Sequence, residues 1–254
     1  MAPLKAPSLD GMSPLFYQNY WSLVGIDDTK TILSFLNSTT LPHPINHTFI
    51  TLIPKTKNLQ PVNDFQPINL CNVLYKILSK VLANRLKKIL LKIITEHQSA
   101  FTKNRLISNN ILVAFETLHS MKNHKTGKTG YIALKLDMSK TYDRVEWSFL
   151  EKIMSKLGFE ERWINLMMIC VKIVSYSILM NGEPKGSIHT TRGIRQGNPL
   201  SPFLLLLYIE GLHCLISKAE NDGTIRGFSL GRRSPRLTHL LFAYYSVLFC
   251  YSNR

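Results

Sequence analysis

Three short blocks hold the residues of this chain that could do chemistry. In Leu136-Asp137-Met138-Ser139-Lys140-Thr141-Tyr142-Asp143, the carboxylate of Asp137 directly follows the run Tyr131 to Leu136. Arg195-Gln196-Gly197-Asn198-Pro199-Leu200-Ser201-Pro202 is a Gly/Pro loop leading into an apolar stretch. Phe242-Ala243-Tyr244-Tyr245 closes the series with two adjacent phenols. A carboxylate at a strand end suits a divalent cation, because magnesium takes one or two carboxylates together with phosphates and water. Two-metal phosphoryl chemistry, with ions about 3.5–4 Å apart, needs acids converging from separate elements. The same aspartate equally suits a cap on the following turn. Its position alone leaves both readings open.

The elements that must position these blocks follow from periodicity. A helix is expected near Pro14 to Val24, and His47 to Lys55 has a strand pattern followed by a polar loop. From Leu70 onward Val73, Leu74, Ile77, Leu78, Val81, Leu82, Leu86, Ile89, Leu90 and Ile93 recur at helical spacing, with Lys76, Lys80, Lys87, Lys88 and Lys92 on the other faces. Ser108 can cap a helix over Asn109 to Lys122, and a basic loop, Lys122 to Lys128, follows. Tyr131 to Leu136 reads as a strand. Asp143, with Glu146 three residues on, predicts a capping box opening a helix that stops at Gly158. Asn181-Gly182 predicts a tight hairpin between Tyr176 and Thr191, because Asn-Gly supplies the positive φ of a primed turn. Ser201-Pro202 starts a helix reaching about Ala219. Leu237 to Tyr251 has strand composition with no turn residue at its centre. The class is α+β.

Composition limits the partners. The chain has 254 residues, 45% of them hydrophobic and 19% charged, which is globular composition. A net charge of +15 favours a polyanion, nucleic acid before membrane. The competing reading is a solvated lysine-rich surface. Cys71, Cys170, Cys214 and Cys250 form no Cys-x-x-Cys pair, so no zinc site is indicated from cysteine spacing, and each is expected to be a small buried hydrophobe. No signal peptide is expected at Met1 to Pro7, and the apolar stretches Phe203 to Ile209 and Leu240 to Tyr251 are too short to span a bilayer. An intracellular location is expected.

The order of the blocks resembles the reverse-transcriptase palm, and most closely that of plant non-LTR (LINE-type) retrotransposons. The likeness covers nearly the whole chain. Ile53-Pro54-Lys55, Phe65-Gln66-Pro67-Ile68, Gln98-Ser99-Ala100-Phe101 with Arg105, and Thr238-His239-Leu240 fall in family order beside the three blocks. The resemblance implies a right-hand polymerase fold with fingers at about 40–130 and a partial palm at about 131–254, after an N-terminal extension over 1–40, with the thumb missing. It implies an RNA-directed DNA polymerase acting on an RNA template, a DNA primer and deoxynucleotides, with two Mg2+ ions, and it is compatible with a nuclear location. Asp137 matches the first metal-binding aspartate, and Tyr142 matches the aromatic gate against the sugar of the incoming nucleotide. Lys55, Gln66, Gln196 and Gly197 match nucleotide-binding positions. Arg105, Arg195, Lys76, Lys80, Lys87 and Lys88 are the expected nucleic-acid contacts.

The departures from the family pattern fall on the chemistry. Tyr244 and Tyr245 occupy the positions of its paired aspartates, and Gln66 stands where it has an arginine. Asn198, Asn104 and Asn109 replace Asp, Gly and Asp, and Ser8-Leu9 interrupts a Gly-Pro before Asp10-Gly11. A phenol, with an ordinary pKa of about 10, is neutral near pH 7 and brings no charge to a cation. No Asp or Glu occurs after Asp222 to replace the lost pair. The expectation is a degenerate reverse-transcriptase domain that does not bind Mg2+ productively and is catalytically inactive. Two alternatives stand beside it: a non-enzymatic basic nucleic-acid-binding remnant, and an unstable pseudogene product.

Overall fold

The computed structural model describes residues 11–55, 61, 64–102, 104–123, 130–138, 140–231, 234–243 and 245–252. Tyr244 and most of the basic loop after Lys122 lie outside the described residues. In chain order the elements are α1 (Pro14–Asn19), α2 (Trp21–Ser38), α3 (His43–Asn46), β1 (His47–Pro54), β2 (Phe65–Cys71), α4 (Val73–Ile93), α5 (Ile107–Asn123) and β3 (Gly130–Asp137). A 3-10 turn at Thr141–Arg144 leads to α6 (Trp147–Lys156), α7 (Glu161–Lys172), β4 (Ser175–Met180), β5 (Glu183–His189), α8 (Ser201–Asn221), β6 (Phe228–Ser229), β7 (Arg236–Leu237), β8 (His239–Phe242) and β9 (Tyr245–Ser252). The α+β class expected from periodicity is the class observed.

Two compact units divide the chain: Met1–Arg85 with Tyr142–Pro202, and Leu86–Thr141 with Phe203–Arg254. The first unit is built on a four-stranded sheet in the order β2-β1-β4-β5. The β1–β4 pair is parallel and the outer pairs are antiparallel. The expected hairpin forms at Asn181 and Gly182, both with positive φ. The second unit holds an antiparallel sheet in the order β3-β9-β8 and the short β6–β7 pair. Phe228, Leu240 and Phe249 form its buried core, with Ala114 and Met121 of α5 packed against them.

α4 forms because one stripe is apolar. Val73, Tyr75, Leu78, Leu82, Leu86 and Leu90 are all buried, while Lys80, Lys87, Lys88 and Lys92 stay exposed. The Asn72 side chain accepts from the Leu74 N–H at 2.8 Å and opens the helix. α6 ends as expected ahead of Gly158, whose φ of 82° lets the chain reverse into α7.

Four expectations are corrected. Residues 65–71, read as loop and helix onset, are strand β2, because backbone pairing with β1 outweighs the weak strand propensity of Gln66, Pro67 and Asn69. Asp143 opens no capping box: it lies in the 3-10 turn, and Glu146 precedes α6 without a side-chain cap bond. The apolar run 237–251 is not one strand. Phe242 pairs with Tyr245, so the chain reverses through Ala243, which takes a left-handed φ of 60°. Cys71 and Cys170 are buried, but Cys214 is exposed and Cys250 half-buried. In addition, α8 is by length and composition apolar enough to cross a membrane, although Leu204, Leu205, Leu206, Leu207 and Ile209 along it are buried in the protein.

Candidate polymerase site

In the first unit the loop around Gln196 is tied to the segment around Tyr142. The Ile194 N–H donates to the Tyr142 carbonyl at 2.7 Å, and the Gly193 N–H donates to the Val145 carbonyl at 2.8 Å. Trp147 Nε1 donates to the Gly193 carbonyl at 2.6 Å. A side chain at Gly193 would meet the Asp143 carbonyl oxygen at 3.1 Å, and its φ of 91° is left-handed, so glycine permits this approach. Asn69 of β2 donates from Nδ2 to the Gln196 carbonyl at 3.2 Å. Ile50, Pro67, Asn69, Asp143, Tyr176 and Gln196 stand among the residues lining a cavity of about 220 Å3. That is below the roughly 300–1,000 Å3 of a small-molecule pocket, so it does not enclose a whole nucleotide. Burial pushes the Tyr176 phenol up to about 12, so it stays neutral there.

Not every expected nucleotide-binding residue joins this group. Strand alternation places Gln66 on the opposite face of β2 from Pro67 and Asn69. Lys55 follows the end of β1, is exposed, and donates its backbone N–H to the Asp64 carbonyl at 2.8 Å. Gly197 is exposed with a φ of 85°, and a side chain there would meet nothing within 4 Å.

Two of the expected nucleic-acid contacts are structural. The Arg195 side chain is buried, and its guanidinium donates to the Thr48 hydroxyl and the Cys170 carbonyl, each at 3.0 Å, and to the Asn46 side chain. It stacks on the Tyr75 ring at 3.7 Å from the centroid. Tyr75 in turn donates to the Cys170 carbonyl and accepts from Asn198, and burial raises its phenol well above the ordinary range. The Arg105 guanidinium, in the second unit, is spent on the carbonyls of Ile94, Thr95 and Gln98. The α4 lysines differ. Lys80, Lys87 and Lys88 are exposed and Lys76 is half-buried, and Lys76, Lys80 and Lys87 recur at helical spacing along one stripe.

The second unit carries Asp137, exposed at the end of β3. The residue directly across the ladder is Tyr245. Cross-strand partners share a face, and Lys135, two residues before Asp137, shares it too. The Lys135 ammonium lies 4.9 Å from the Tyr245 ring centroid, a cation–π contact. A pair of divalent cations asks for convergent carboxylates. Among the described residues this face supplies one carboxylate, a phenol ring and a cation, a donor set that does not fit two magnesium ions. Sequence reasoning missed the Lys135 contact, because only the register brings that lysine to Tyr245.

Residues 53–243 match the reverse transcriptase (RNA-dependent DNA polymerase) family model, three quarters of the chain. The chain belongs to that family, whose members use divalent metal ions. It is 28% identical over 214 residues to a 149 kDa protein of transposon TX1 from Xenopus laevis, covering 84% of this chain and 16% of that protein. It is 27% identical over 207 residues to the Pol polyprotein of the retrotransposable element R2DM from Drosophila melanogaster, covering 82% of this chain and 19% of the polyprotein. The chain therefore spans less than a fifth of either relative. A telomerase structure from Candida tropicalis shares the fold with a TM-score of 0.54 at 14% identity, covering 91% of this chain and 49% of the telomerase chain. The resemblance to non-LTR retrotransposon reverse transcriptases holds, and the plant origin stays an expectation.

Proposed function

We propose that this chain is the reverse-transcriptase domain of a LINE-type retroelement that has lost nucleotide addition and keeps non-specific nucleic-acid binding. The observation that carries the reading is the face around Asp137: Tyr245 stands directly across the ladder and the Lys135 ammonium lies over its ring. A second carboxylate there would draw in a metal, whereas a cation repels one. Asp137 alone retains one negative charge against the four positive charges of two magnesium ions. Loss of an outer partner of a metal ligand already costs about 10–100-fold in metal affinity or activity, so loss of ligands costs more. Gln66 adds to this, because a neutral amide cannot offset triphosphate charge as a guanidinium does.

The binding half of the reading is supported by the exposed lysine stripe of α4 and the +15 charge. The substrates such a domain would meet are an RNA template, a DNA primer and deoxynucleotides. The test is a gel-shift titration with single-stranded RNA beside a primer-extension assay on the same preparation. Binding that weakens steeply with salt, with no extended product, is expected. Extension of the primer would refute the loss of chemistry, and absence of any complex at low salt would refute the binding.

A further inference from the structure

Three histidines far apart in sequence meet in the second unit: His97 before α5, His213 on α8 and His239 on β8. One ligand nitrogen from each lies within 4.8 Å of the other two. His213 Nδ1 and His239 Nε2 are already 2.8 Å apart, and the rings of His97 and His239 stack with centroids at 4.7 Å. The outward nitrogens are engaged. The Thr95 hydroxyl bonds His97 Nδ1 at 3.0 Å, and the Thr238 hydroxyl bonds His239 Nδ1 at 2.9 Å. His213 Nε2 faces the Ser217 hydroxyl at 3.5 Å and the Glu210 carboxylate at 4.0 Å. Partners of this kind on the second nitrogen fix the tautomer of metal-bound histidines and orient their rings.

We propose that His97, His213 and His239 form a binding site for one zinc-class divalent cation, with Nε2 of His97, Nδ1 of His213 and Nε2 of His239 as its ligands. Three imidazoles with a fourth position for water or a carboxylate is a zinc donor set, with zinc–nitrogen bonds of about 2.0–2.1 Å. Imidazole selects zinc, nickel or copper over magnesium, which prefers oxygen. Imidazole binds a metal in its neutral form, through the nitrogen that carries no proton. The site is separate from the polymerase face, because the register puts His239 on the side of the sheet opposite to Asp137 and Tyr245. Its consequence is structural. The backbone of residues 97–99 already pairs with β8, through the Leu241 N–H on the His97 carbonyl at 2.9 Å, and the cation would clamp that segment and α8 onto the edge strand.

The experiment is a titration of the chelator-stripped full chain with Co2+, read by visible absorption, followed by displacement with Zn2+. Expected are one ion per chain with the absorption of tetrahedral nitrogen-ligated cobalt, and a melting temperature that rises with Zn2+. His97→Gln and His213→Gln should each weaken binding at least about tenfold, while their circular dichroism and metal-free melting match those of the parent. His239 is buried, so its variant serves only as confirmation. Cys214→Ser should leave the titration unchanged, since Cys214 is exposed and outside the cluster. No bound ion at micromolar metal would overturn the assignment. So would binding indifferent to His97→Gln and His213→Gln, or binding abolished by Cys214→Ser.

Discussion

At the scale of single residues the proposed loss of catalysis rests on the phenol that stands across the ladder from Asp137. Restoring Tyr244→Asp with Tyr245→Asp rebuilds an acidic cluster and removes the ring under Lys135. We expect this double variant to bind Mg2+ measurably more tightly than the parent by calorimetry, as more carboxylates converge. It should still fail to extend a primer, because Gln66 carries no charge toward triphosphate. Product from the double variant alone would contradict the weight placed on Gln66. Arg195 makes the opposite case, a functional candidate turned structural. Arg195→Met should lower stability by about 3 kcal/mol in a urea melt, because the Thr48, Cys170 and Asn46 groups lose a charged donor. RNA affinity per folded molecule should not change.

At the scale of elements, α4 is where charge meets a surface. Lys80→Ala, Lys87→Ala and Lys88→Ala together remove three exposed cations from one helix. The slope of log K against log salt for single-stranded RNA should become shallower by about 2, at about 0.7 for each phosphate no longer neutralised. An unchanged slope would place the phosphate-binding cations elsewhere. This helix was legible in the sequence because one strong period sets both its apolar stripe and its lysines. The β4–β5 hairpin was legible for a different reason, since Asn181-Gly182 names its own turn. β2 was hidden, because Gln66, Pro67 and Asn69 lack strand propensity and only pairing with β1 holds them extended. The hairpin at residues 242–245 was hidden too, because Ala243 adopts a left-handed φ that alanine does not advertise. Asp137 and Tyr245 could be matched by motif order, but the lysine over the ring and the histidine trio could not. Contacts between residues so far apart in the chain leave no spacing to read.

At the scale of the whole molecule, the histidine trio ties stability to pH. His239 has a folded pKa near 3 against an ordinary value of about 6.5, and His97 and His213 are shifted the same way. Between those limits the unfolded chain binds protons that the folded chain does not. Stability therefore rises with pH across this window and is lost as pH falls from about 6.5 toward 3. Chelator-treated chain should show a falling melting temperature over that range, with a shallower fall in His239→Gln. An equal fall in both would assign the acid sensitivity to other groups.

The missing second carboxylate bears most of the weight in the proposed loss of catalysis, and primer extension tests it directly. Parent and Asp137→Ala, both checked for folding by circular dichroism, are given an RNA template, a DNA primer, deoxynucleotides and either Mg2+ or Mn2+. No product above a no-enzyme control is expected for either protein with either metal. Extension by the parent that disappears in Asp137→Ala would mean that the face across from Tyr245 still holds its metals, and would contradict the loss of catalysis.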